Sequence, residues 1–555
     1  MPTKNKLKIL LCNEASFLFS GYGKYGKEVM SRLYATDKYE LAEFATYGRV
    51  NDPRDRGIPW GYYANAPNEG DPRMDEYNKG GCNQFGEWRF ERVILDFKPD
   101  VVFDIRDFWM LGYQSYSPLR DYYHWAIMPT VDSAPQKPDW VDVFSSADGV
   151  FTYTDWSGKV LKKESGGVIS PVGVASPGVD IDTFKPVPNK SAHKEEAGLM
   201  PDIKIIGTVM RNQKRKLFPD LFKAFRQFLD ECERSGKTEL AQKTFLYLHT
   251  SYPDVGWDIP ILLKEFGLGN KVIFTYLCKG TGQCFPSFFQ GASMVSPFTK
   301  QHTAVFPSVV HGISENQLRN IMCLFDVYVQ YSICEGFGMP QVEAASCGVP
   351  VMSVDYSAME DVVRNLNGQP IKVKRLFREL ETGAYRAMPD NDDLCKSLLS
   401  FFSSPEPIRQ RKGFRAREGV VKNYTWDHTA KKWEDYFDSI ELQGLQGQWD
   451  SPPRLVPKNT NIPEDIVNHK DFIEIASNQI LDNRIKAYQK AEMIRDLNYG
   501  ARFTGKGWSP FKRENAIKIM DVMAKNINEC EKVRCGMVNY GAPDFIQYAH
   551  ARKSM

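Results

Sequence analysis

Two glutamates eight positions apart dominate the chemistry this sequence could do. They lie in Ser332-Ile333-Cys334-Glu335-Gly336-Phe337-Gly338-Met339-Pro340-Gln341-Val342-Glu343, a glycine-rich turn opening into a helix that ends at Gly348-Val349-Pro350. The apolar run 321–330 before it has strand character, and so has 351–354 after it. This order puts Glu335 on a loop and Glu343 inside the helix. Gly336 and Gly338 let the backbone approach a ligand with no Cβ in the way, and free N–H groups at a helix start bind phosphate or sugar oxygens. A carboxylate on each side of such an anion site suits a ligand carrying both hydroxyls and phosphate, since a carboxylate accepts from two vicinal hydroxyls at once. Taken alone, the pair would read as a surface acid and a helix-start acid favoured by the macrodipole.

Cations that could meet the phosphate follow a strand expected at 203–207: Arg211, then the run Lys214-Arg215-Lys216. By itself that run would be a solvated basic stretch. At a strand end facing a cleft, Arg211 and Lys216 would neutralise charge growing on a departing phosphate. Two acids follow other expected strands. Asp132 stands in Pro129-Thr130-Val131-Asp132, and Asp107 follows the strand ending at Ile105. Both are candidate contacts to hydroxyls, although Asp132 also suits a plain turn.

The elements that must position these groups form two series. Segments 7–12, 41–47, 100–105, 125–129 and 149–153 read as short strands alternating with helical or irregular stretches, which favours a parallel sheet with helices on both faces. A polar stretch rich in Gly, Pro and Asn, residues 49–86, is expected to be a loop too irregular for the core, shaping a ligand site. A second series starts near 203, continues through 245–249 and 271–275, and ends near 423. A linker at about 171–192 joins them, and ligands belong in the cleft at the carboxyl ends of the strands. The expected divisions are 1–185, 186–425, a closing helix 426–443 and a helical extension 444–555.

With 555 residues, 42% apolar and 25% charged, the chain is ordinary globular protein with room for several cores. A net charge of +2 gives no field that argues for nucleic acid or membrane. Eleven cysteines without framework spacing point to reduced thiols and a cytoplasmic location. The short apolar run near the start is too short for a signal core, and no stretch reaches the ~20 apolar residues of a membrane span.

The Glu335–Glu343 stretch resembles the E-x7-E signature of retaining glycosyltransferases of the GT-B fold, family four. Three further landmarks agree in order. Gly178-Val179-Asp180 through Phe184 and Pro186 resembles that family's junction, Arg211 to Lys216 its phosphate clamp, and Tyr424-Thr425-Trp426-Asp427 its closing segment. Leu217 stands where glycine is usual in the clamp, which leaves Lys214 beside Lys216 as the phosphate ligand. The resemblance implies two Rossmann-like domains, an N-terminal acceptor domain and a C-terminal donor domain, and a metal-independent transfer of sugar from a nucleotide-diphosphate sugar to a hydroxyl. By it, Glu335 would touch the donor sugar and stabilise charge at the reacting carbon, and Glu343 would hold the ribose. Gly336, Phe337, Gly338 and Met339 would line the donor, Gly21 and Gly23 of the first loop would border its phosphates, and Asp132 would occupy the place where many relatives carry histidine. The segments after 249 and 275 would hold the base. No cofactor beyond the co-substrate is implied. The acceptor is a saccharide or small-molecule hydroxyl. Chains of this profile also resemble enzymes of large DNA phages, some of which glycosylate hydroxylated bases in DNA, and the mild basic surplus of the tail permits that.

Other readings fare worse. Gly21-Tyr22-Gly23-Lys24-Tyr25-Gly26 spells a dinucleotide turn, but it follows its strand too late and no acid closes the next one. Cys278 and Cys284 lack the partners of a zinc site. Asp180 and Asp182 spell a metal-binding pair inside the junction signature, where the resemblance gives them no metal. A non-catalytic sugar-nucleotide-binding module is the remaining alternative.

Overall fold

The computed structural model describes residues 6–449 apart from Asn51, Pro118, Val309 and Val310, and beyond them only short stretches within 462–521. The first sheet is wholly parallel and runs β3-β2-β1-β4-β5-β6-β7, from β1 (Leu7–Glu14), β2 (Tyr39–Arg49), β3 (Gly61–Ala66), β4 (Val101–Asp104), β5 (His124–Ile127), β6 (Gly149–Thr152) and β7 (Gly173–Val174). Ile9 to Cys12 are buried on both sides, so β1 reads as a continuous apolar run instead of an alternating one. The helix Gly21–Ala35 starts at Ser20, whose hydroxyl caps the Gly23 N–H, and buries Tyr25, Val29, Met30 and Leu33.

Two elements depart from the expectations. The stretch 49–86 is not merely a loop, because β3 within it is buried throughout and forms the sheet edge beside β2. Its tyrosines, Tyr62 and Tyr63, supply the strand propensity that the surrounding Gly, Pro and Asn obscured. The run 321–330 is split: Glu315–Met322 is a helix with a Ser314/Gln317 capping box, and only Val327–Gln330 is strand. Of the tail, most lies outside the described residues. Its described part includes helical residues 513–514 and 516–518, in line with the expected helical extension, and a two-residue antiparallel pairing of Asp465–Ile466 with Phe511–Lys512.

The second sheet contains β8 (Lys204–Val209), β9 (Thr244–His249), β10 (Val272–Cys278), β14 (Val327–Gln330), β15 (Val351–Val354) and β16 (Gln369–Ile371) in parallel, in the order β10-β9-β8-β14-β15-β16. At its edge β11 (Cys284–Phe288), β12 (Ser293–Met294) and β13 (Ala304–Val305) add antiparallel strands. A hairpin, β17 (Val373–Arg378) and β18 (Tyr385–Pro389), stands off this sheet. It reaches the first domain, where the Tyr385 N–H donates to Ala134 O at 2.8 Å.

The chain crosses between the domains twice. At the junction the Val179 N–H donates to Tyr424 O at 2.9 Å, fixing the linker against the end of the second series. The helix Trp426–Ser439, capped by Thr425, then returns to the first domain. There Trp433 packs on Phe151 and Phe103 with ring centroids 4.2 and 5.2 Å apart, and its indole N–H donates to Tyr25 Oη at 2.9 Å. The two domains are thereby stapled together behind the cleft.

Candidate active site

The loop 211–217 leaves the end of β8 and is zipped to the loop after β14. The Ile333 N–H donates to Arg215 O at 3.0 Å and the Leu217 N–H to Tyr331 O at 3.2 Å. This pairing turns Arg215 and Lys216 towards Glu335. Arg215 Nη1 donates to Glu335 Oε2 at 2.7 Å, and Lys216 Nζ, Gln330 Nε2 (2.8 Å) and the Ser332 hydroxyl (2.7 Å) all donate to Oε1. Glu335 is only 4% exposed. Burial alone would push its carboxyl up, but Arg215 and Lys216 hold it well below the usual carboxylate range. The result is a fixed, ionised carboxylate with both oxygens oriented.

Behind it, Gly338 takes a left-handed conformation (φ +85°) at the head of the helix Met339–Ser346, where an L side chain would be strained. Gly336 is needed for a different reason: a Cβ there would stand 2.5 Å from Thr130 Cγ2 of the first domain. Gly21 lies beside Met339, since a Cβ on it would meet the Met339 sulfur at 3.9 Å. The glycine-rich loop of the first domain and the helix start of the second therefore face each other. Glu343, in that helix, receives Lys24 Nζ at 3.0 Å, and Lys24 also pairs with Glu315 at 2.7 Å. Lys24 comes from the first turn after Gly21, so this ion triad bridges the domains.

Asp132 is drawn into a second bridge. Arg386 of the hairpin donates to Asp132 Oδ1 at 2.9 Å and to Glu379 at 2.6 Å, and the Cys334 thiol donates to Asp132 Oδ2 at 3.2 Å. Asp132 thus reaches the Glu335 loop through Cys334. Tyr22 Oη lies 2.6 Å from Thr130 Oγ1, and both hydroxyls neighbour the Asp107 carboxyl. Burial pushes the Asp107 carboxyl up to about 6.

Most sequence-selected residues converge on this cleft, with some exceptions. Arg211 is not joined to Glu335: half exposed, it makes a two-pronged pair with Asp254 at 2.9 and 3.0 Å. Lys214 is exposed, whereas Lys216 is buried against Glu335. The Phe337 ring faces away, edge-on to Tyr424 at 5.5 Å, which leaves only its backbone for a ligand. Gly23 is enclosed by the Ala15 and Leu18 carbonyls. His249, partly buried and pulled down to about 4 by loss of solvent, lies 3.1 Å from Thr275 Oγ1 at the end of β9. Asp180 accepts from the Asp182 N–H and the Thr183 hydroxyl, forming a turn. Among the described residues no group of three or more His, Cys, Asp or Glu could hold a metal ion, and no helix is long and apolar enough to cross a membrane. Sequence reasoning missed Arg215, Lys24 and Arg386. Arg215 was visible as part of a basic run, but nothing local distinguishes the residue that β-type pairing turns inward. The partners of Lys24 and Arg386 lie in the opposite domain.

Comparisons with known proteins bear on the family and the fold. Residues 308–411, which include Glu335, Glu343 and the hairpin, match the family described as Glycosyl transferases group 1. In solved structures the chain is similar to sucrose-phosphate synthase from Thermosynechococcus elongatus, with 16% identity, TM-score 0.56, and 78% of this chain and 98% of that one covered. It is also similar to Anabaena Alr3699/HepE in complex with UDP-glucose, with 13% identity, TM-score 0.53, and 78% and 100% covered. These likenesses establish a GT-B fold of two Rossmann-like domains. In sequence it is 21% identical over 288 residues to the D-inositol 3-phosphate glycosyltransferase of Rhodococcus erythropolis, covering 52% of this chain and 53% of that protein. The chain spans about half the length, or less, of such curated relatives.

Proposed function

We propose that this protein is a glycosyltransferase that moves a sugar from a nucleotide-diphosphate donor to a hydroxyl acceptor, with retention of anomeric configuration and without a metal ion. The observation that carries this reading is the Glu335 carboxylate, oriented by Arg215, Lys216, Gln330 and Ser332 at a cleft between two Rossmann-like domains. Glu343 lies eight residues further on, in the helix that opens at Gly338.

In the cleft each of four cations holds a carboxylate: Arg215 and Lys216 on Glu335, Lys24 on Glu343, and Arg386 on Asp132. A donor exchanges these internal partners for its own. Its ribose hydroxyls donate to Glu343 in place of Lys24, freeing that ammonium for phosphate. As the bond from the anomeric carbon to phosphate lengthens, negative charge grows on the diphosphate and positive charge on the sugar. Lys216, Arg215 and an Arg211 released from Asp254 stabilise the first, and the fixed Glu335 charge the second. Such preorganised electrostatics contribute most of the rate in many enzymes. The acceptor oxygen bonds to the anomeric carbon on the face the phosphate leaves, and the acceptor proton passes to the leaving phosphate oxygen.

The test is titration of UDP-, GDP- and ADP-sugars into the protein, followed by NMR of the product's anomeric centre. Binding of one donor and a product of unchanged configuration supports the reading, and an inverted product refutes retention.

A further inference from the structure

The helix Met339–Ser346 begins at the cleft and ends at a second cavity, of about 350 Å³, lined by Cys347 and Gly348 and by the linker residues Pro186, Val187 and Pro188. Four cations line it from three elements: Lys190 from the helix Lys190–Glu196, Lys204 from the start of β8, and Arg409 and Arg417 from the helix Glu406–Asn423. All four are half-buried, yet none forms an ion pair among the described residues. Their hydrogen bonds go to neutral oxygens: Lys190 Nζ to Phe325 O, Arg409 Nη1 to Phe402 O and Ser404 O, and Arg417 to Ile181 O, Phe184 O and both oxygens of Ser346. Such acceptors satisfy donors without cancelling charge. The Nε and Nη2 of Arg409, the Nε of Arg417 and the whole Lys204 ammonium donate to nothing among the described residues. Of the two carboxylates in the lining, Asp326 is held by Lys194 at 2.8 Å, and Glu406 sits exposed at the start of its helix. Positive charge is crowded here: burial, with the fields of Lys190 and Lys204 added, pulls the Lys194 ammonium below its ordinary value although Asp326 holds it.

We propose that this cavity is an anion site, separate from the Glu335 cleft, that takes a small molecule bearing a phosphate group. Withdrawing cations from water without a counter-charge costs free energy, and a bound anion offsets it. Two guanidinium groups and two ammonium groups around one cavity suit a tetrahedral dianion, which accepts several charge-assisted hydrogen bonds at once. The volume admits phosphate alone or a phosphorylated compound of a few carbons, and is too small for a polymer. An organic part has apolar walls to lie against in Pro186, Pro350 and Phe414, whose side chain is 64% exposed. The place also matters. Arg417 already joins the carbonyls of Ile181 and Phe184, in the linker, to Ser346 at the end of the Glu343 helix. An anion shared by Lys190 and Arg417 adds to that tie between linker and helix. The site stands on the charge and shape of its cavity, independently of the transferase reading.

The experiment titrates the full chain, with no sugar donor present, with inorganic phosphate and separately with glycerol 3-phosphate, by isothermal calorimetry at an ionic strength held constant with chloride. Wild-type protein is expected to bind at least one of the two, and the tighter probe tells whether the site takes bare phosphate or a phosphorylated compound. Lys204→Gln removes one charge and breaks no hydrogen bond within the described residues, and is expected to weaken that binding about tenfold. Adding Lys190→Ala is expected to bring the loss to about a hundredfold. Lys216→Ala, at the cleft, should change it by less than about threefold, since the two sites share no partner. Should the double variant not fold, Lys204→Gln alone decides. Binding of neither probe to the wild type, binding unchanged in Lys204→Gln, or binding that is lost in Lys216→Ala and kept in Lys204→Gln overturns the assignment. Because no donor enters the titration, failure here leaves the transferase reading standing, and failure of that reading leaves this one.

Discussion

Replacing Lys216 by alanine separates the stability of the Glu335 network from its use in turnover. Lys216 is 7% exposed and donates to Glu335 Oε1, which also accepts from Gln330 and Ser332, while Arg215 holds Oε2 at 2.7 Å. Stripping a buried carboxylate of its only cation costs about 3–5 kcal/mol. Here Arg215 and two neutral donors remain, so the loss should be nearer that of one charge-assisted hydrogen bond, about 1.5–3 kcal/mol. The fold should survive, because domains of ordinary stability hold about 5–15 kcal/mol. Turnover should suffer more. A preorganised donor aimed at growing charge is worth roughly a hundred- to a thousandfold in kcat, and Lys216 is the more buried of the two cations on Glu335. Thermal unfolding by circular dichroism would follow the first quantity, and coupled-assay release of nucleoside diphosphate the second. A variant that folds and keeps kcat within about threefold of wild type refutes the role given to Lys216.

Further outcomes follow from single contacts. Gly336→Ala places a methyl 2.5 Å from Thr130 Cγ2, so activity should drop at least about tenfold, and adding Thr130→Ser, which removes that methyl, should restore part of it in the same assay. Asp107 has a folded pKa raised from 3.8 to about 6, so ionising it opposes folding: the penalty is absent below its unfolded value, grows between the two, and is complete above about 6. Asp107→Asn should accordingly raise stability at pH 8 by about 1–2 kcal/mol and leave it nearly unchanged at pH 3.5, as denaturant melts at the two pH values would show. The Asp107 carboxylate faces Tyr22, Tyr153, Asp132 and Arg215, of which the tyrosines and the arginine keep their charge across that window. Trp433→Ala, which empties the seam between Phe151, Phe103 and Tyr25, should cost about 3–5 kcal/mol in the same melts.

The parts of the site legible in the sequence were those set by local order. Glu335 on a loop and Glu343 in a helix follow from one stretch of chain, because strand, turn and helix signals there agree. The parallel strands of both domains were visible as apolar runs for the same reason. What stayed hidden depends on contacts between distant segments. Arg215 faces Glu335 only because loop 211–217 pairs with residues 331–333, and Arg211, the more prominent cation in the sequence, is held by Asp254. Lys24 and Arg386 acquire meaning only when one domain stands against the other. The strand β3 was masked by its neighbours' polarity, and the helix Glu315–Met322 by the apolar residues it shares with the strand after it.

The central claim is that the Glu335 cleft transfers sugar from a nucleotide donor. The most direct measurement is release of nucleoside diphosphate from a panel of UDP-, GDP- and ADP-sugars in the presence of mixed saccharide acceptors, for the wild-type protein and for Glu335→Ala. The account predicts that one donor is consumed with formation of a glycosylated product, and that the variant, folded by circular dichroism, releases at least about a hundredfold less. Equal release by both proteins, or no release from any donor by the wild type, would contradict it.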